Sequence, residues 1–197
     1  MLTKEDHLVL LGDYIDRGIQ SMEVVDFILD MQREGFMITP LTGNHEVMLN
    51  DSCKDDKKLL LWMLNDGAAT LRSFGIENIN ELNRKYADFF SSLDYYKIID
   101  NYIFVHAGLN DDIADPFSDR YVMIWESRFS YSNPLLEGKT IIHGHRPKTV
   151  AYVSNLIRER SKVIPLDTGC VYGLDSGYGF LSALELNSMT LFSVPCC

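Results

Sequence analysis

Four short stretches of this sequence place side chains able to bind metal or move protons directly after apolar runs. "GDYIDRG" carries Asp13, Asp16 and Arg17, and "GNHE" carries Asn44, His45 and Glu46. "VHAG" carries His106, and "HGHRP" carries His143 and His145. Taken singly, each residue has a plain structural explanation. A histidine at a strand end is most often a hydrogen-bonded surface group, and an aspartate there is often only a helix cap. Repetition changes the reading. Strand after strand ending in Asp, Asn or His delivers oxygen and nitrogen donors to one edge of a sheet, where α/β proteins usually build their sites. A mixed set of carboxylate, amide and imidazole donors suits Mn²⁺, Fe or Zn²⁺. The four cysteines (Cys53, Cys170, Cys196, Cys197) show no CxxC pair and no Cys/His zinc spacing, so they are read as reduced thiols.

The elements that must position these residues follow from periodicity. Val9 to Leu11 read as a strand apolar on both faces, as in a sheet covered by helices. Ser21 is placed to cap "MEVVDFILDMQRE", in which Met22, Val25, Ile28 and Leu29 recur at helical spacing before Gly35. "MITPL" follows as a second strand, so strand, helix and strand form a βαβ unit with polar tips. Residues 50–93 read as a helical insertion over the sheet, with Asn80 as the cap of a helix presenting Leu82, Tyr86, Phe89 and Leu93 on one face. "YYKII" and "YIFVH" flank Asp100-Asn101 as a hairpin, "KTIIHGH" and "SKVIPLDTG" are further strands, and a closing hairpin turns at Asn187-Ser188. Without repeats or linker-like tracts, the 197 residues read as a single domain of α/β class.

Bulk properties narrow the partners. A net charge of −10 argues against a nucleic-acid surface, and against an anionic substrate unless bound cations reverse the local field. No apolar run is long enough to cross a bilayer, and the first residues lack a signal-peptide pattern. A cytoplasmic protein without membrane or nucleic-acid partners is expected.

"GDYIDRG", "GNHE", "HAG", "GH" followed by Arg-Pro, and "DTGCVYG" stand in the order seen in the calcineurin-like metallophosphoesterases. Over residues 8–186 the chain most resembles the bacterial serine/threonine protein phosphatase branch. That resemblance implies mixed β-sheets in a sandwich flanked by helices, with the family's first βα unit absent. It also implies a divalent-metal phosphoester hydrolase, two ions in the intact family, and attack by a metal-bound hydroxide. By motif, Asp13 resembles the carboxylate bridging both ions, while Asn44, His106 and His145 resemble the other ligands of the second. His45 resembles the proton donor to the leaving oxygen, paired with Asp16. Arg17 resembles the phosphate clamp, with Asn44 and Arg128 as further phosphate contacts. His143 stands where the family usually has an apolar residue and is read as structural or supporting. For "MIWESRF" two readings stay open: Trp125 is core and Arg128 solvated, or Arg128 meets phosphate. Asp167 either supports a histidine or simply forms a strand-end turn, and "LDSGYG" reads as a small insertion.

The family's first motif, Asp-x-His, is not found in the residues before Asp13. The expectation is therefore that Met1 is an internal methionine of a longer protein, and that this chain holds at most one ion tightly. The leading reading is a phosphoprotein phosphatase acting on phosphoserine or phosphothreonine. A diadenosine tetraphosphate hydrolase is the alternative, disfavoured by the aspartate in "DRG". A catalytically dead, single-metal phosphate-binding module is the third reading.

Overall fold

A computed structural model describes residues 2–174 and 177–196. Asp175 and Ser176 of the "LDSGYG" stretch, Met1, and Cys197 of the terminal pair lie outside the described residues. Two compact units divide the chain, Met1–Tyr95 and Tyr96–Cys197.

In the first unit, β1 (His7–Leu10) pairs in parallel with β2 (Met37–Pro40), in the register Leu8 to Ile38 and Val9 to Thr39. The crossover is α1 (Ser21–Arg33), which turns Val25 and Ile28 into the core. This is the expected βαβ unit, with two local differences. β1 is half-buried rather than enclosed, because it has one strand neighbour in its two-stranded sheet. Ser21 is the first helical residue and not the cap; the cap position is Gln20, which makes no side-chain capping bond.

Residues beyond β2 form α2 (Asn44–Ser52), which begins ahead of residue 50, then α3 (Asp56–Met63), α4 (Gly67–Phe74) and α5 (Arg84–Ser92). Asn83, not Asn80, caps α5, its side chain accepting from the Lys85 N–H. Asn80 instead lies in a short 3₁₀ turn, Ile79–Glu81, capped by Asn78. An extended Leu82 between turn and helix breaks the continuous helix that the apolar spacing suggested. Tyr86, Phe89 and Phe90 still pack inward with Leu41, Leu49 and Trp62. The edge-to-face Phe74–Tyr86 pair and the tilted Phe74–Phe90 pair tie α4 and α5 together.

The second unit holds a four-stranded sheet in the order β3 (Tyr96–Ile99), β4 (Tyr102–Val105), β5 (Thr140–His143), β6 (Val163–Pro165). The β3–β4 pair is the antiparallel hairpin across Asp100-Asn101, while β4, β5 and β6 run parallel. Ile103, Val105, Ile141, Ile142 and Ile164 form its buried interior. Helices α6 (Arg120–Trp125) and α7 (Val150–Arg158) occupy the connections. The closing hairpin is β7 (Phe180–Glu185) with β8 (Thr190–Pro195), antiparallel and in register from Phe180 to Pro195. Parallel strands fix where chemistry appears: His106 follows β4, and Gly144-His145 follows β5, at the same end of the sheet.

Candidate active site

The first unit builds its polar cluster from two loops that follow β1 and β2. A single buried carboxylate joins them. Glu46, fully excluded from solvent, accepts backbone N–H bonds from Asp13 (2.9 Å), Tyr14 (2.7 Å) and Gly43 (2.8 Å). The bond from Gly43 is the glutamate half of a capping box at the start of α2. The other two fasten the "GDYIDRG" loop to that helix start. Tyr14 adds a second strap, its phenol donating to the Leu41 carbonyl at 2.7 Å. Burial and then the Glu46 charge hold its pKa well above the usual phenol range, so it stays a donor.

The loop needs such restraint because of its backbone. Gly12 has φ +93°, and three candidate site residues that follow share the left-handed region: Asp13 at +59°, Asp16 at +69°, Arg17 at +59°. His145 in the second unit does the same at +64°. Non-glycine residues rarely adopt this region, and they persist there only where surrounding contacts over-determine them. Residue type does not signal this backbone at Asp13, Asp16, Arg17 or His145 as it does at Gly12.

Within this frame the expected acid pair is in contact. His45 Nδ1 lies 2.6 Å from Asp16 Oδ2, with both side chains excluded from solvent. An ionised carboxylate only accepts, so Nδ1 carries the proton in this bond and Nε2 is left for other work. Burial alone would pull the imidazole pKa down. The hydrogen bond to Asp16 and the charges of Asp13 and Asp16 more than offset that, and the net pKa is raised. The His45 N–H also reaches Asp13 Oδ1 at 3.3 Å, and Asn44 is buried beside it. Arg17 is exposed.

Asp16 has further partners that its sequence neighbourhood did not reveal. The Trp62 indole N–H donates to its carboxylate at 3.0 Å, and the Thr70 hydroxyl at 2.5 Å. Both residues are buried and belong to the helical segment.

In the second unit His106 Nε2 and His145 Nδ1 are 3.2 Å apart. Two imidazole nitrogens bound to one ion at about 2.1 Å would be separated by a similar distance, so the pair fits a shared cation. His106 is buried and His145 half-buried, the Gly144 N–H donating to the His106 carbonyl at 2.8 Å. Trp125 is not core: it is half-buried, with its ring edge-on to His145 at 6.0 Å. Arg128 pairs with Asp112 at 2.6 Å. Asp167 accepts from the Gly169 N–H at 2.8 Å, the turn role.

His143 is buried against the β5 end and donates from Nδ1 to the Gly144 carbonyl at 3.0 Å. Its Nε2 has no hydrogen-bond partner among the described residues. Burial lowers its pKa to about 4, with the nearby His106 and Lys148 pushing the same way against the Gly144 bond. It is therefore a neutral imidazole in an apolar position.

Similarity to known proteins agrees with this geometry. A bis(5'-nucleosyl)-tetraphosphatase PrpE, asymmetrical type, of Bacillus velezensis is 28% identical over 182 residues, covering 84% of this chain and 70% of the relative. The protein of the same name from Bacillus subtilis is 24% identical over 182 residues, covering 84% of this chain and 72% of its own. A crystal structure described as a candidate diadenosine tetraphosphatase superposes with a TM-score of 0.60 at 23% identity, over 98% of this chain and 82% of its own. The calcineurin-like phosphoesterase family model matches residues 2–175, nearly the full span of the motifs. By that match, and with a mixed α/β fold to go with it, this chain belongs to the calcineurin-like phosphoesterases.

Proposed function

We propose that this chain is a metal-dependent hydrolase of dinucleoside polyphosphates. The reading changes the order of substrates suggested by sequence, where the aspartate of "DRG" favoured a phosphoprotein. The observation that carries the change is the surroundings of Asp16. Its side chain is 0% exposed and occupied by His45, Trp62 and Thr70, so it does not meet substrate and does not discriminate between phosphoesters. With that objection gone, the names of the similar Bacillus proteins, bis(5'-nucleosyl)-tetraphosphatases of asymmetrical type, favour the nucleotide.

In this reading the donors that the family resemblance implies, Asp13, Asn44, His106 and His145, would hold a divalent ion, which suits their mixed oxygen and nitrogen chemistry. Such an ion supplies Lewis-acid chemistry, polarising water and neutralising phosphoryl oxygens. The chain's own groups do the rest. Arg17, exposed and permanently charged, presents a planar fork to two phosphoryl oxygens. His45, held through Nδ1 by Asp16, carries its second proton on Nε2, where it is given to the departing oxygen.

Turnover compared on diadenosine tetraphosphate and on a phosphoserine peptide, with Mn²⁺ added, tests the proposal. The expected result is preference for the dinucleotide, with ATP and AMP as products; two molecules of ADP would mark symmetrical cleavage. Preference for the peptide would restore the phosphoprotein reading, and phosphate binding without hydrolysis of either would favour the single-metal binding module.

A further inference from the structure

Asp16 receives more hydrogen bonds than a partner for one histidine requires. His45 Nδ1 donates to Oδ2 at 2.6 Å, the Trp62 indole N–H bridges Oδ2 at 3.0 Å and Oδ1 at 3.2 Å, and the Thr70 hydroxyl donates to Oδ1 at 2.5 Å. Thr70 also works in the other direction, accepting the Asp16 backbone N–H at 2.9 Å. One hydroxyl thus grips both the main chain and the side chain of a residue in the left-handed region. Trp62 and Thr70 lie 46 and 54 residues along the chain from Asp16, on α3 and α4.

The chemistry of these donors is specific. A carboxylate with no exposed side-chain surface must be hydrogen-bonded to remain charged. An arginine or lysine would do this but would also neutralise the charge that His45 relies on. An indole and a hydroxyl stabilise the anion and fix its rotamer while leaving its full charge directed at the imidazole. Gly67 makes room for this arrangement. A Cβ there would lie 2.6 Å from Trp62 Cδ2, so only glycine lets the indole lie against the first residue of α4 with Nε1 aimed at Asp16.

We propose that Trp62 and Thr70 are positioning residues for the proton donor, holding the Asp16 side chain in the orientation in which it orients His45. This rests on the reading of His45 as the donor. In these terms the helical segment between β2 and the second unit is part of the acid's support, reaching the chemistry through Asp16.

The test uses the full chain labelled with ¹⁵N and two readouts. The first is the proton spectrum: a far-downfield His45 Nδ1–H signal, and a Trp62 indole signal that moves in Asp16→Asn. Thr70→Val, which keeps the shape and loses both hydrogen bonds, and Trp62→Phe should each broaden or remove the His45 signal; both lower the melting temperature, so spectra are taken well below it, on protein shown to be folded by its other signals. Thr70→Ser should keep it. The second readout is kinetic: Thr70→Val and Trp62→Phe should lower kcat on diadenosine tetraphosphate roughly 10-fold or more with KM little changed, the scale seen for groups that orient an active imidazole. Thr70→Ser should recover most of that loss. If Thr70→Val does not fold, Gly67→Ala, which displaces the indole, takes its place. Unchanged His45 signal and unchanged kcat in folded variants would overturn the inference. If His45→Ala itself leaves turnover unchanged on every substrate, the proton-donor reading fails instead, and the spectrum still decides whether Trp62 and Thr70 hold the pair.

Discussion

His106 Nε2 and His145 Nδ1 face each other across 3.2 Å, each at the end of one of two adjacent parallel strands. Nothing in packing alone calls for two imidazoles to meet there, and His145 reaches the position through a strained backbone at φ +64°. The pairing therefore makes a prediction about metal. His145→Gly relieves a left-handed conformation that costs an L-residue about 1–2 kcal/mol, a gain partly offset by glycine's added freedom in the unfolded chain. In chelator-treated protein the variant should melt at the parent temperature or somewhat above it. The rise in melting temperature produced by Mn²⁺, which binds only the folded state, should be lost. A variant that keeps the full Mn²⁺ response would remove His145 from the ligand set.

Asp13 is tested in the same way but through its carboxylate. Asn tolerates the left-handed region and has nearly the same volume, so Asp13→Asn should not destabilise the metal-free chain. Mn²⁺ stabilisation should disappear. A large drop in metal-free melting temperature would make Asp13 a structural residue.

The sequence carries ligand candidates for one complete ion, and this sets an expected stoichiometry. Metal analysis after dialysis should find no more than one tightly held divalent ion per chain. Two ions per monomeric chain would contradict the assignment of Asp13, Asn44, His106 and His145 as the set.

Glu46 should be a stability residue of the first rank. Glu46→Gln replaces one oxygen by an NH₂ group that must face a backbone N–H, and weakens three charge-assisted bonds. A loss of about 3 kcal/mol is expected in urea titration, on the usual scale for buried charged hydrogen bonds left partly unmade. A loss within experimental error would show that the two loops are held by other means.

Acid stability follows from His143. Its pKa is about 4 in the folded chain against 6.5 for the free side chain. Below pH 6.5 the unfolded chain takes up a proton that the folded chain refuses, so stability rises with pH across this window. It is lost as pH falls from 6.5 towards 4, by about 3 kcal/mol in all. His143→Leu removes both the titration and the unpartnered Nε2, and should flatten this part of the profile in metal-free protein. Parallel profiles for parent and variant would assign the acid loss to other groups.

Legibility in the sequence followed the range of the interactions. The apolar runs of β1, β2, β4 and β5, and the polar tips after them, are local patterns, and they placed His45, His106 and His145 at strand ends. Helix starts were read less well: Ser21 and Asn80 are good caps by type, yet the chain chose Gln20 and Asn83, because packing of Ser21 and Ile79 into the core set the boundaries. The partners of Asp16 other than His45 were not readable. Trp62 in an apolar helix looks like core, which it is, and no local spacing says that its N–H points at a carboxylate 46 residues away. Nor did the strained positions announce themselves, because Asp13, Asp16, Arg17 and His145 are not glycines.

Those strained positions also decide what the protein would lose by being improved. Asp13, Asp16 and Arg17 occupy a five-residue span at left-handed torsions, which cost a side-chain-bearing residue about 1–2 kcal/mol each. Selection for heat resistance alone would find its quickest gains at Asp13 and Arg17, by exchanging them for glycine or asparagine, whereas Asp16 is kept in place by its buried donors. Each such gain would discard a carboxylate or a guanidinium. A thermostabilised lineage selected without an activity screen would drift towards a sturdier and inert protein, its first changes falling between Gly12 and Gly18.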